Sequence, residues 1–180
     1  MILLDYETKI GRNCIIGNVR NMLKYYHVDV DEEDLFFWFC PFKGDMYLEN
    51  VFEDLYEEND KKNWIEYVVE KLKCGSPVFI SIDPKVIPYV NIEVGNPSTS
   101  HYIVINGIDL DKGTICVSDS YIPTFKPNVF KGWIEYKDLE KGIGKCWSLK
   151  ENAVLFFKEK CSRNEIDRFT YYTATHRLSR

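Results

Sequence analysis

The sequence predicts an α+β fold with helices in the first half and an antiparallel sheet in the second. Two observations carry this. Apolar residues recur at helical spacing up to about residue 72, and from Pro77 onward short β-rich runs are separated by turn signals. A third is the absence of anything that asks for a second unit. No internal repeat, low-complexity stretch or linker interrupts the 180 residues, so residues 1–180 read as one domain.

Ile15, Ile16, Val19, Met22, Leu23 and Tyr26 line one face of a helix that begins near Asn13. A second helix is expected from Asp31, whose side chain suits a cap. Acids fill its first turn in DEEDLFFWF, and Pro41 ends it. Leu48, Val51, Phe52, Leu55 and Tyr56 suggest a third helix. Trp64, Ile65, Val68, Val69 and Leu72 suggest a fourth, stopped by Gly75 and Pro77.

Four runs then read as strands: PVFISID (77–83), SHYIVINGID (100–109), TICVSDSY (114–121) and NAVLFFKEK (152–160). LDKG (110–113) reads as a tight turn with Gly113 at positive φ, so the second and third runs should pair as a hairpin. GWIEY (132–136) is a further strand, followed by a helical turn around KDLEKG. The polar tail, 161–180, reads as a short helix or a flexible end.

Composition narrows the function. The chain is 45% hydrophobic and 28% charged, with a net charge of −5, which is the balance of a soluble globular protein. No sustained basic surface is available to neutralise phosphates, which argues against nucleic acid as a partner. No apolar run approaches the roughly 20 residues of a membrane span, and residues 1–10 lack the pattern of a secretory signal. A cytoplasmic location without membrane contact is the expectation. The six cysteines show no CxxC or CxH spacing, so reduced thiols and no metal site are expected.

The charge is unevenly spread. Lys9, Arg12, Arg20 and Lys24 surround the first helix, whereas residues 29–60 carry twelve acids against Lys43 alone. Arg12, Arg20 and Lys24 would suit a phosphate or an acidic helix, and the acidic block a cationic amine. Both sets read more simply as solvated faces.

Cys14 stands in the first turn of the first helix, where the positive end of the helix favours a thiolate. Alone it could as well be a small buried hydrophobe. His101 stands at a strand start. Pairing about the LDKG turn sets residue 101 opposite roughly 121 or 122, which brings Asp119 within one diagonal step. A cysteine, a histidine to take its proton and an aspartate to orient that histidine are the parts of a nucleophilic triad. Asn13 has two readings, helix cap or oxyanion donor. His27 reads as a complement to the helix dipole and His176 as incidental. Trp38, Trp64, Trp133 and Trp147 read as core or rim, and Cys116 as packing.

The frame GRNCIIGNVRNMLKYYHVDV, then SHYIVINGIDLDKGTICVSDSY, then GWIEYKDLEKG resembles the papain-like cysteine peptidase superfamily in its C39-like branch. More closely it is similar to the N-terminal domain of the BtrH-type acyltransferases of thiotemplated biosynthesis. The resemblance covers roughly residues 5–158. It implies a papain-like fold and a Cys14–His101–Asp119 triad. It also implies transfer of an acyl group from a carrier-protein thioester, through Cys14, to a small amine, giving an amide. The partners would be an acyl or peptidyl carrier protein bearing phosphopantetheine and the amine acceptor, with no cofactor bound to the chain itself. A leader-cleaving cysteine peptidase and a catalytically silent carrier-binding module are the alternatives. One departure bears on the choice. Members of the C39-like branch resemble papain in placing a glutamine before the cysteine as an oxyanion donor, and this chain contains no glutamine.

Overall fold

The computed structural model describes residues 1–39, 51–54, 64–90, 100–122 and 126–162. In chain order these form β1 (Ile2–Leu3), α1 (Cys14–Tyr25), α2 (Glu32–Phe39), β2 (Phe52–Asp54), α3 (Trp64–Lys73), β3 (Val78–Ile82), β4 (His101–Asp109), β5 (Thr114–Asp119), β6 (Phe130–Glu135), α4 (Tyr136–Leu139), β7 (Ile143–Leu149) and α5 (Glu151–Ser162). A 3-10 turn, Pro84–Val86, follows β3. The fold class is α+β, as expected.

The strands form one seven-stranded sheet in the order β2-β7-β3-β4-β5-β6, with β1 also paired to β4, and every pairing is antiparallel. Both faces are covered. One packs Phe79, Val104 and Trp147 against Ile16, Val19 and Leu23 of α1 and Val154 and Phe157 of α5. The other packs Val78, Ile80, Ile103, Ile105 and Val117 against Trp64, Val68 and Leu72 of α3. The central strands β3 and β4 therefore read as nearly continuous apolar runs.

The β4–β5 hairpin closes as expected. Gly113 has φ 67° and its N–H donates to the Leu110 carbonyl. Asp109 pairs with Thr114, and a bulge near Asn106 shifts the register so that Val104 faces Ser118. Continuing that register sets Asp119 beside Ile103, one diagonal step from His101.

Two sequence expectations fail. The third helix is replaced, where it is described, by β2, which pairs with β7 through Phe52↔Leu149 and Asp54↔Trp147. A tertiary partner outweighs the local helical spacing there. Residues 48–50 and 55–56 of that reading, and the Pro41 stop, lie outside the described residues. The run NAVLFFKEK is not a strand but most of α5. Its buried side chains are Ala153, Val154 and Phe157, whereas Leu155 and Phe156 face solvent, which is helical periodicity hidden by β-favouring residue types. The strand it seemed to supply lies just upstream, in IGKCWSL. Of the tail, 161 and 162 belong to α5 and 163–180 lie outside the described residues.

Other side chains are placed as follows. Trp64 and Trp147 are buried and Trp133 is partly exposed at the rim, while Cys116 is buried. The Trp38 side chain and His176 lie outside the described residues. His27 ends α1 through its backbone, with φ 62° and its N–H donating to the Lys24 carbonyl, a position that glycine usually takes. Among the described residues no helix is long and apolar enough to cross a membrane.

Candidate active site

Cys14 is the first residue of α1. Asn13 caps the helix from an extended conformation, and its Oδ1 accepts from the N–H groups of Ile15 (3.0 Å) and Ile16 (2.7 Å). That satisfies the second and third orphan amides of the helix and leaves the Cys14 amide outside the cap. The thiol therefore sits where the partial positive charge of the helix is concentrated. Asn13 thus fulfils the capping reading with its oxygen.

His101 opens β4 and Asp119 ends β5. The His101 Nε2–H donates to Asp119 Oδ2 at 2.6 Å, because an ionised carboxylate can only accept. The same oxygen accepts from the Tyr89 hydroxyl at 3.3 Å, and Asp119 Oδ1 accepts from the Tyr121 N–H at 3.2 Å. Asp119 is fully buried and the His101 side chain is 13% exposed. With Nε2 on Asp119, the other ring nitrogen is the one free to meet sulfur, and Cys14 is near enough to raise the basicity of the ring. The structure therefore brings Cys14, His101 and Asp119 together in that order.

Burial opposes charge on the imidazole, but the hydrogen bonds and negative charges of Asp119 and Cys14 outweigh it, and the His101 pKa is pushed up from 6.5 to about 10. A raised pKa favours the imidazolium, the form that stabilises a neighbouring thiolate. Burial, followed by the charge of Asp119 and the hydrogen bond to it, holds the Tyr89 phenol well above its ordinary range. Tyr89 is thus a neutral donor that stacks on Phe130 (3.7 Å between ring centroids) and covers the carboxylate. Its place in VIPYV gave no signal in the sequence, since its partner lies 30 residues on.

Helix and hairpin touch through small residues. A Cβ on Gly17 would lie 2.6 Å from Ser120 Oγ and 2.8 Å from the Gly11 Cα, and the Gly11 N–H donates to the Ser120 carbonyl at 2.7 Å. The glycines of GRNCIIG thus allow the start of α1 to lie directly against the residue after Asp119.

The basic residues do different things. Arg20 is mostly buried. Its guanidinium pairs with Glu32 and donates to the carbonyls of Lys9 and Ile10 at 3.0 Å, tying the loop before Cys14 to α2. Arg12 pairs with Glu33 at 2.9 Å and Lys24 with Asp29 at 3.0 Å, both near the surface. The basic flank and the start of the acidic block, distinct in the sequence, are here partners of each other. Among the described residues no cluster of His, Cys, Asp and Glu could hold a metal ion.

A helix that presents a cysteine at its N-terminus, laid on an antiparallel sheet whose adjacent strands supply a histidine and a carboxylate, defines a papain-like cysteine peptidase-like protein. The sequence pattern of the Peptidase C39 like family matches residues 5–141, and the chain belongs to that family. No curated relative matches it.

Proposed function

We propose that the protein is a cysteine-dependent acyltransferase of the BtrH type, which takes an acyl group from a carrier-protein thioester and passes it to a small amine. The observation that carries the reading is the His101 imidazole bonded to Asp119, with Cys14 near enough to raise its pKa. In the first step Cys14 Sγ attacks the thioester carbonyl. A bond from Sγ to the acyl carbon forms, the bond from that carbon to the pantetheine sulfur breaks, and the departing thiolate takes the proton from His101. In the second, the amine nitrogen attacks the acyl-Cys14 carbonyl and gives a proton to His101. The acyl–Sγ bond breaks, which releases the amide and restores the thiolate–imidazolium pair. Asp119 holds the imidazole orientation through both steps.

Two features favour a thioester over a peptide as acyl donor. No glutamine stands ahead of Cys14 or elsewhere in the chain, and the Asn13 oxygen is committed to the helix cap. The oxyanion would rest on the Cys14 amide and the remaining Asn13 Nδ2. An activated thioester carbonyl tolerates a weaker oxyanion site than an amide, for which loss of one donor typically costs about 10²–10³ in rate. Arg12 and Lys24, near the surface on α1 and just before it, would meet the carrier or its phosphopantetheine; Arg20 would act behind them by holding the loop. Leader-peptide cleavage is the second reading, favoured by the family match over residues 5–141.

Incubation with an acyl-carrier thioester and a diamine, in parallel with a leader peptide, separates the two. The expected result is an acyl adduct on Cys14 by intact mass, followed by amide. Proteolysis without amide would favour the peptidase, and no adduct in either arm would favour a silent carrier-binding module.

A further inference from the structure

We infer that Asn18 is a positioning residue that sets the distance between the nucleophile and its two partners through one side-chain amide. Its Nδ2 donates to the Cys14 carbonyl at 2.7 Å and to the Tyr102 carbonyl at 2.8 Å, and its Oδ1 accepts from the Ser120 N–H at 3.2 Å. Tyr102 follows His101 and Ser120 follows Asp119. A single carboxamide thus holds the backbone at Cys14 and at the residues adjoining His101 and Asp119. The contacts span 84 and 102 residues of sequence, so no local chain geometry provides this link.

The surroundings support the assignment. Asn18 is fully buried in the middle of a helix, where asparagine is a poor former because its side chain competes for backbone groups. Both Nδ2 hydrogens and the oxygen are used, so the desolvation cost of a buried amide is met. Gly17 beside it and Gly11 opposite permit the approach to Ser120. Asn18 bonds backbone atoms only, so it acts through the placement of Cys14, His101 and Asp119. A misplacement of about 1 Å can cost about 10²-fold in rate.

The inference rests on the reading that His101 activates Cys14, and a probe independent of substrate tests both. Alkylation of Cys14 by iodoacetamide at pH 7 is measured on the full chain, on Asn18→Leu, on His101→Ala and on the double variant, with thermal unfolding as the check on fold. Asn18→Leu is expected to fold cooperatively and to react about 10–100-fold more slowly. Adding it to His101→Ala should cost nothing further, because the distance it sets no longer matters. A folded Asn18→Leu with wild-type reactivity overturns the inference, and so does a full, additive loss in the His101→Ala background. If Asn18→Leu does not fold, exchange of the Asn18 side-chain amide protons in the wild type decides. Strong protection supports the two carbonyl bonds, and exchange at the rate of a free amide overturns them. Wild-type Cys14 that reacts no faster than in His101→Ala sinks the activation reading instead, while amide exchange still reports on Asn18.

Discussion

His101 Nε2 lies 2.6 Å from Asp119 Oδ2, a bond made across the β4–β5 hairpin by two residues one diagonal step apart. Asp119 has no solvent exposure, so water does not compete for it, and the bond leaves the other ring nitrogen of His101 free of the carboxylate. Asp119→Asn should leave the fold in place and lower turnover by about 10³–10⁴, since an amide no longer enforces the tautomer. Steady-state kinetics with the acyl thioester check this, and a loss below about tenfold would remove Asp119 from the proposed mechanism.

The raised pKa of His101 is also a statement about stability. Its value is about 10 in the folded chain against 6.5 ordinarily. A group raised on folding contributes its stabilisation fully below about pH 6.5, and that contribution is lost as pH rises through about 10. Wild type should therefore exceed His101→Gln in denaturant midpoint by most at pH 6, with the gap closing toward pH 10. A gap that widens with pH would show that the ring is not held as an imidazolium.

Cys14→Ala should abolish any acyl adduct in intact-mass measurement, and His101→Ala should slow its formation by about 10³-fold or more. Adduct formation that persists in Cys14→Ala would place the nucleophile on another of the cysteines.

At the helix–hairpin contact, Gly17→Ala would drive a methyl group to within 2.6 Å of Ser120 Oγ and 2.8 Å of the Gly11 Cα. Backbone is less able to yield than a flexible side chain, so the substitution should cost about 1–3 kcal/mol, measured by urea unfolding. It should also reduce Cys14 reactivity. A neutral effect on both would mean the contact is looser than it stands here.

The two arginines should separate cleanly. Arg12→Ala removes an exposed pair with Glu33, worth about 0–1 kcal/mol. Arg20→Ala takes the ion-pair partner from Glu32, whose side chain is only 9% exposed, and the Arg20 donor from the Ile10 carbonyl, while the Lys9 carbonyl keeps the Asn21 Nδ2–H, a loss of about 1–3 kcal/mol. Thermal unfolding of the two variants side by side checks the order, and equal effects would contradict the tie that Arg20 makes between the loop before Cys14 and α2.

Local chemistry alone determined a good deal. The helix beginning at Cys14 was legible from apolar spacing and from an asparagine suited to capping, because cap and periodicity act within one or two turns. The juxtaposition of His101 and Asp119 was legible from the Gly113 turn, since antiparallel pairing propagates from the hairpin by simple counting, and the bulge near Asn106 shifts that count by a single residue. Where residue types and partners disagreed, the sequence misled: Phe52 became a strand because β7 offered it a ladder, and Val154 and Phe157 became a helix because a core face lay one turn apart. The rest was decided only in three dimensions. Cys14 meets a hairpin more than 80 residues away, Asn18 joins them, Tyr89 covers the carboxylate, and Arg20 is drawn out of the surface charge by Glu32. Each depends on long-range contacts whose partners no local pattern names, so the triad could be nominated from the sequence but its geometry belongs to the tertiary fold.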